Sequence, residues 1–279
     1  MELMSEYEIT QAIKEKLSQI EQRENIRILY ACESGSRAWG FASPDSDYDV
    51  RFIFVRPVED YLRVKEMPDF IDAELNEIYD INGWDLKKFF KQLYKSNPVL
   101  FEWANSPIVY KTTPEWESVK TIMKDYVLHG VMIYHYRGMG RRNCFLAISA
   151  NDPSSKDLGR ALRGSAGEIV LKKYLYVLRP VLACAWIMQK NTVPPTEFSK
   201  LVDEVLPDVL KTSVDELLIV KMKSGEREKG ARIPQIDLFI ESKLNEATVF
   251  PVTDEVQENY EKLDKLFLEI VQAGVAGGV

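Results

Sequence analysis

The chain has 279 residues, 46% hydrophobic and 28% charged, with a net charge of −7, three cysteines and two histidines; this is room for one large domain or two ordinary ones. Its longest uncharged apolar run, Val181 to Met188, falls far short of the roughly 20 residues that cross a bilayer, and the acidic start MELMSEYE is no signal peptide. The scattered Cys32, Cys144 and Cys184 exclude a C-x-x-C site and point to a reducing, cytoplasmic setting, and two histidines exclude a histidine-rich zinc centre.

In chain order, residues 5–23 read as a helix. Ser5 and Glu8 form a capping box, and Ile9, Ile13, Leu17 and Ile20 make one apolar stripe. Ile26 to Cys32 is a short β-prone run, a buried strand. The turn Ser34-Gly35-Ser36 follows, then Ser43-Pro44-Asp45, which is turn chemistry. Tyr48 to Val55 is a second strand, bounded by Pro57. Leu75 to Ile81 is read as a further strand and Asp85 to Tyr94 as a helix, which Asn97-Pro98 stops. Beyond about residue 114 helical patterns dominate, near 115–150, 156–190, 196–223 and 254–273. A charged loop is expected over 224–234 and a disordered tail over 273–279. The expected class is α+β, with a mixed α/β portion over 1–112 and an α-helical portion over 113–279.

The chemistry concentrates at Gly35-Ser36 and Asp47-Tyr48-Asp49-Val50. Gly35 permits a tight turn and a close approach of backbone to a ligand. Backbone N–H groups there, with the Ser36 hydroxyl, suit phosphate oxygens. On a strand, period two puts Asp47 and Asp49 on one face. Two neighbouring carboxylates repel, and a divalent cation removes that cost. Hard oxygen ligands beside a triphosphate are what Mg²⁺ prefers. The bland alternative is a polar hairpin rim with solvated aspartates.

This order of strand, Gly-Ser turn and Asp-x-Asp resembles the signature of nucleotidyltransferases of the DNA polymerase β superfamily. The block ESGSRAWGFASPDSDYDVRFIFV (33–55) is similar to predicted nucleotidyltransferases of the YcgL (RlaP) type, which include RNA-repair-associated proteins. Three more segments share the likeness: GWDLKKFFKQLYKSNPVLFEWANSPIVY, YHYRGMG and LKKYLYVLRPVLACAWI. The resemblance implies a polymerase β-like nucleotidyltransferase domain followed by a helical domain. It implies transfer of a nucleoside monophosphate from an NTP, with two Mg²⁺ ions, Mn²⁺ being the alternative, held by Asp47, Asp49 and a third carboxylate. Asp80, in a β-prone run, is the favoured third ligand. Asp85, at the start of a helix, is the alternative, with Asp72, Glu74 and Glu77 as more distant choices. An RNA end, tRNA-like or nicked, is the expected acceptor. The other readings are transfer to a protein or small molecule, and a non-catalytic nucleotide-binding module.

Several cations are candidates for the nucleotide. Arg37 follows the Gly-Ser turn and either reaches a phosphate or pairs with Asp45 or Glu33. Arg51 shares the Asp49 face by parity, near the metals. Arg56 reads as a surface residue. Lys172, Lys173 and Arg179 sit on one expected helix, either to close over a triphosphate or to cover apolar surface with their stems. From His129 to Lys190 ten Lys or Arg face three acids, a local net of +7, so Arg137, Arg141 and Arg142 are candidate RNA contacts. Trp39 and Phe41 are read mainly as core, and His135 as a packed helix histidine.

Overall fold

The computed structural model describes residues 5–148, 168–223, 228–251 and 259–276. The described residues form two compact units. One comprises Met1–Ala38, Asp47–Val127 and Val256–Val279, the other Trp39–Ser46 and Leu128–Glu255.

The first unit begins with α1 (Glu6–Glu24). The Ser5 side chain accepts the Glu8 N–H while the Glu8 carboxylate takes the Ser5 N–H, closing the expected capping box. β1 (Arg27–Glu33) leads into the five-residue helix α2 (Gly35–Trp39). β2 (Tyr48–Val55) follows, then the short α3 (Val58–Tyr61), β3 (Phe70–Leu75) and β4 (Tyr79–Asp85). α4 (Leu86–Tyr94), α5 (Pro98–Ala104), β5 (Val109–Thr112) and α6 (Pro114–Met123) complete the continuous part. The strands make one mixed sheet in the order β3-β4-β2-β1-β5. β1 runs antiparallel to β2 and β5, β4 parallel to β2, and β3 antiparallel to β4.

The near-continuous apolar runs of β1 and β2, buried at successive positions, explain why the middle of the sheet is covered on both faces. Ile13, Leu17 and Ile20 of α1 pack with Val50, Phe52, Phe54 and Ile81 in one cluster. Toward α6, Tyr30 stacks on Trp116, centroids 4.3 Å apart, and Phe89 meets the same ring edge-on. The last described helix, α12 (Glu261–Ala276), belongs to this unit too. Tyr260, just before it, stacks on Tyr94 at 3.8 Å, Phe267 packs on Tyr61, and Lys262 pairs with Asp125.

The second unit is helical: α7 (His129–Ile148), α8 (Lys172–Lys190), α9 (Phe198–Val205), α10 (Asp208–Lys223) and α11 (Pro234–Val249). A two-stranded ribbon joins β6 (Glu168–Val170) to β7 (Lys229–Ala231). Its core gathers Leu178 and Leu182 of α8, Leu201, Val214, Leu217 and Ile240, and Phe41 from the segment 39–46.

The α+β class expected from the pattern is what forms. Several boundaries differ. The single expected break after residue 112 and the compact units are drawn differently: the first unit runs on to Val127 and takes back 256–279, while 39–46 packs into the helical core. The helix expected over 115–150 is interrupted by a 3₁₀ turn at Lys124–Tyr126 and restarts at His129. The helix expected over 196–223 is two helices, parted at Leu206-Pro207, because proline has no N–H to continue the ladder. α11 occupies residues for which no helix is expected. Of the helix expected over 156–190, residues 156–167 lie outside the described residues. The tail 277–279 lies outside them as well.

Candidate active site

Parallel pairing of β2 with β4 sets Asp49 opposite Asp80. Arg51, two residues along from Asp49 and hence on the same face, reaches across both strands. Its Nη2 donates to Asp49 Oδ1 at 3.1 Å and to Asp80 Oδ2 at 2.7 Å, while its Nη1 donates to the Asp80 carbonyl at 2.7 Å. The two carboxylates therefore share one guanidinium. Asn82 Nδ2 donates to the other Asp80 oxygen at 3.3 Å.

The turn after β1 meets this pair closely. Gly35 has φ +59°, and a Cβ built there lies 1.9 Å from Asp49 Oδ2. Glycine is thus required twice, for the left-handed backbone and for the space the carboxylate occupies. The Ser34 N–H donates to the Asp49 carbonyl at 2.7 Å, and Ser36 is buried beside it. Asp47 lies one residue before β2 and is exposed rather than part of the strand. Its carbonyl accepts from Arg37 Nε at 3.0 Å, and the Arg37 guanidinium lies 3.7 Å over the Tyr48 ring. Arg37 thus spans the segment from the turn to the start of β2.

Beneath Asp49 sits Glu33, expected from the sequence only as a partner for Arg37. It is fully buried at the end of β1. Oε1 accepts the Asp49 N–H at 2.7 Å, and Oε2 accepts the Tyr110 hydroxyl in a short hydrogen bond. Burial pushes the Glu33 carboxyl up to about 7, although both hydrogen bonds favour its anion. Burial also pushes the Asp49 carboxyl up to about 6. Arg51 pulls it back, and the charges of Asp47 and Asp80 push it further.

Asp85 is not part of this group. It pairs in register with Phe54, caps α4 by accepting the Lys87 N–H at 2.8 Å and accepts the Tyr61 hydroxyl at 2.8 Å. Five residues along β4 separate it from Asp80, about 17 Å of extended chain. The more distant acids are elsewhere too. Asp72 is exposed opposite Asn82, Glu74 pairs with Lys16 at 2.7 Å, and Glu77 lies exposed between β3 and β4.

The cations of the helical unit are placed within that unit. Arg179 is drawn inside, 2% exposed, with its guanidinium 4.5 Å from the Trp39 ring centre and a long hydrogen bond to the Thr196 carbonyl at 3.4 Å. Its head thus lies inside the helical unit and not at the surface that either reading of this cation expects, and the ring of Trp39 is why a guanidinium tolerates the interior. Lys173 donates to the Leu146 carbonyl at 3.1 Å. Lys172 lies near enough to Asp45 to help lower its carboxyl, behind the larger effect of Ser43. Phe41 is core, against Phe198 and Tyr176. Arg137 lies over the Tyr134 ring, and Arg141 and Arg142 are exposed on α7. Lys156, Arg160 and Arg163 lie outside the described residues. Arg56, read as surface, is 7% exposed.

Among the described residues no three Asp, Glu, His or Cys side chains are gathered into a metal-ligating cluster. The donor chemistry nevertheless suits a hard cation. Asp47, Asp49 and Asp80 carry carboxylate oxygens, the hard donors such an ion takes; the raised proton affinity of Asp49 comes first from burial, with the charges of Asp47 and Asp80 adding to it.

A family model described as "RNA repair pathway DNA polymerase beta family" matches residues 9–269. The chain is also 40% identical over 236 residues to the uncharacterized protein YcgL of Bacillus subtilis (strain 168), covering 84% of this chain and 85% of that protein.

Proposed function

The chain belongs to the RNA repair pathway DNA polymerase beta family, and on that footing we propose that it transfers a nucleoside monophosphate from an NTP to an acceptor hydroxyl, an RNA end being the favoured acceptor. The observation that carries the reading is the Asp49–Asp80 pair across β2 and β4, with Gly35 pressed against the Asp49 carboxylate.

In this reading Asp47, Asp49 and Asp80 would hold Mg²⁺, which would supply positive charge against the developing charge on the phosphates. The turn at Gly35-Ser36 offers the triphosphate backbone N–H groups and a hydroxyl. Arg51 keeps Asp49 and Asp80 together and offsets part of their repulsion. The acceptor oxygen forms a bond to the α-phosphorus, the bond to the β-phosphate oxygen breaks, and pyrophosphate leaves. The acceptor proton passes to Asp80. The family description, which places relatives in RNA repair, and the exposed Arg141 and Arg142 on α7 favour RNA over a protein acceptor.

The test is transfer of label from each α-³²P NTP to total RNA and, separately, to total protein, with Mg²⁺ present. Asp49→Asn and Asp80→Asn are expected to lower transfer by about 10²-fold or more, as loss of a group acting on transition-state charge does. Undiminished labelling by both variants, with their folds intact by circular dichroism, rules the mechanism out. Label entering protein but not RNA changes the acceptor and leaves the chemistry standing.

A further inference from the structure

At the end of the sheet opposite the carboxylate pair, a cavity of about 280 Å³ opens between the end of β2, the segment 56–69 and α4. Arg56 lines it. Its residue is 7% exposed, its Nε is buried without a hydrogen-bond partner, one terminal nitrogen donates to the Pro68 carbonyl at 3.2 Å, and its plane lies over the Phe54 ring. No carboxylate bonds it among the described residues. Asp85, on whose carboxyl the Arg56 charge acts, already accepts from the Tyr61 hydroxyl and the Lys87 amide. A guanidinium cannot escape burial by losing its proton, and a buried charge with no carboxylate bonded to it is costly.

Two more cations reach the same cavity. Lys87 and Lys91 lie one turn apart on α4, both exposed and without ion-pair partners among the described residues. Other charges of the lining cancel in pairs, Asp60 with Arg63 at 2.8 Å and Asp69 with Lys88 at 3.0 Å. What remains is one buried guanidinium and two ammonium groups, with Glu66 and Asp85 as acceptors. Three cations against these two carboxylates leave the lining a net positive charge, which suits a phosphate group, and Glu66 suits a hydroxyl donor. The volume exceeds that of phosphate alone.

We propose that this cavity is a second ligand site, which takes a small hydroxylated phosphate monoester of sugar-phosphate size, its phosphate on Arg56, Lys87 and Lys91. Arg56 stands seven residues beyond Asp49 along an extended chain, about 23 Å, so the site is separate from the carboxylate pair and does not depend on the nucleotidyl-transfer reading.

The experiment is calorimetric titration of the full chain with ribose 5-phosphate at low ionic strength, with ribose as control, together with ¹⁵N amide shifts. Saturable binding of ribose 5-phosphate but not ribose is expected, equally in wild type and in Asp49→Asn, with perturbed amides over 56–69 and 85–91 and weakening as salt rises. Lys87→Ala/Lys91→Ala is expected to weaken it about tenfold or more, and Arg56→Gln to abolish it. Both lysines are exposed, so the double variant tests the site without disturbing the core. Absence of saturable binding in wild type, equal affinity for ribose, unchanged affinity in the double variant, or loss in Asp49→Asn would each overturn the proposal.

Discussion

Gly35 and Glu33 show how tightly the backbone around Asp49 is specified. Gly35→Ala puts a methyl group where Asp49 Oδ2 stands and forces a left-handed residue, a strain of about 1–2 kcal/mol before the clash is counted. Chemical denaturation is expected to show that loss or more, and NTP binding is expected to fall with it. Glu33 makes the opposite kind of statement, since its anion is disfavoured by the fold. Its carboxyl is raised to about 7 from 4.5, so between those values the folded state holds more proton than the unfolded one. Its contribution to stability is therefore fullest below pH 4.5 and is lost as pH rises through 7. Glu33→Gln is expected to flatten the decline of Tm between pH 5 and 8, read by differential scanning calorimetry. An unaltered slope would mean that Glu33 is charged in both states. Much of this site is legible in the chain. A Gly-Ser turn between strands followed by Asp-x-Asp announces itself by spacing alone. Glu33 and Tyr110 do not, because their link joins β1 to β5 across 77 residues. The burial of Arg56 and Arg179 is equally silent, since it depends on aromatic rings and carbonyls supplied by other segments.

At the scale of elements, the parallel pair β2–β4 decides which acid accompanies Asp49. The register places Asp80 at one end and Asp85 at the other. Asp80→Asn is expected to remove transfer, whereas Asp85→Asn keeps the cap on α4 and leaves transfer within about threefold of wild type, a change of under 1 kcal/mol in barrier. Comparable losses in the two variants would contradict the assignment. β4 also carries Gly83, where a Cβ would sit 2.1 Å from the Phe52 ring. Gly83→Val is expected to cost about 1–3 kcal/mol by overpacking, seen as a lower denaturation midpoint. β1 and β2 are evident from their apolar runs, and α1 from its stripe and capping box. β3 is not, because Phe70-Ile71-Asp72-Ala73-Glu74-Leu75 is an edge strand with Phe70, Asp72 and Leu75 exposed and Glu74 paired to Lys16, and only its pairing to β4 makes it extended. β6 and β7 are three residues each, too short for alternation to register.

For the whole molecule, the discontinuity of the two units is the feature no local pattern announces. Hydrophobic periodicity locates α12 but not its destination. The contacts of that helix with Asp125, Tyr94 and Tyr61, and the hydrogen bond from Arg27 to the Ile270 carbonyl at 3.1 Å, tie it to the sheet unit. Removing residues 256–279 is expected to lower the unfolding temperature of the sheet unit by several degrees, as a loss of about 1 kcal/mol or more does in a domain of this size. The transition of the helical unit is expected to stay in place. A calorimetric trace in which both transitions move together would show that the two units unfold as one.

The same arrangement has a consequence during synthesis. Every segment of the helical unit, from Trp39–Ser46 to Glu255, leaves the ribosome before α12 does. The helical unit therefore has its complete set of parts while the sheet still lacks a covering helix. A released chain ending near residue 255 should therefore hold a protease-resistant helical unit, while in its sheet unit the Tyr61 and Tyr94 rings lack the partners that Phe267 and Tyr260 supply.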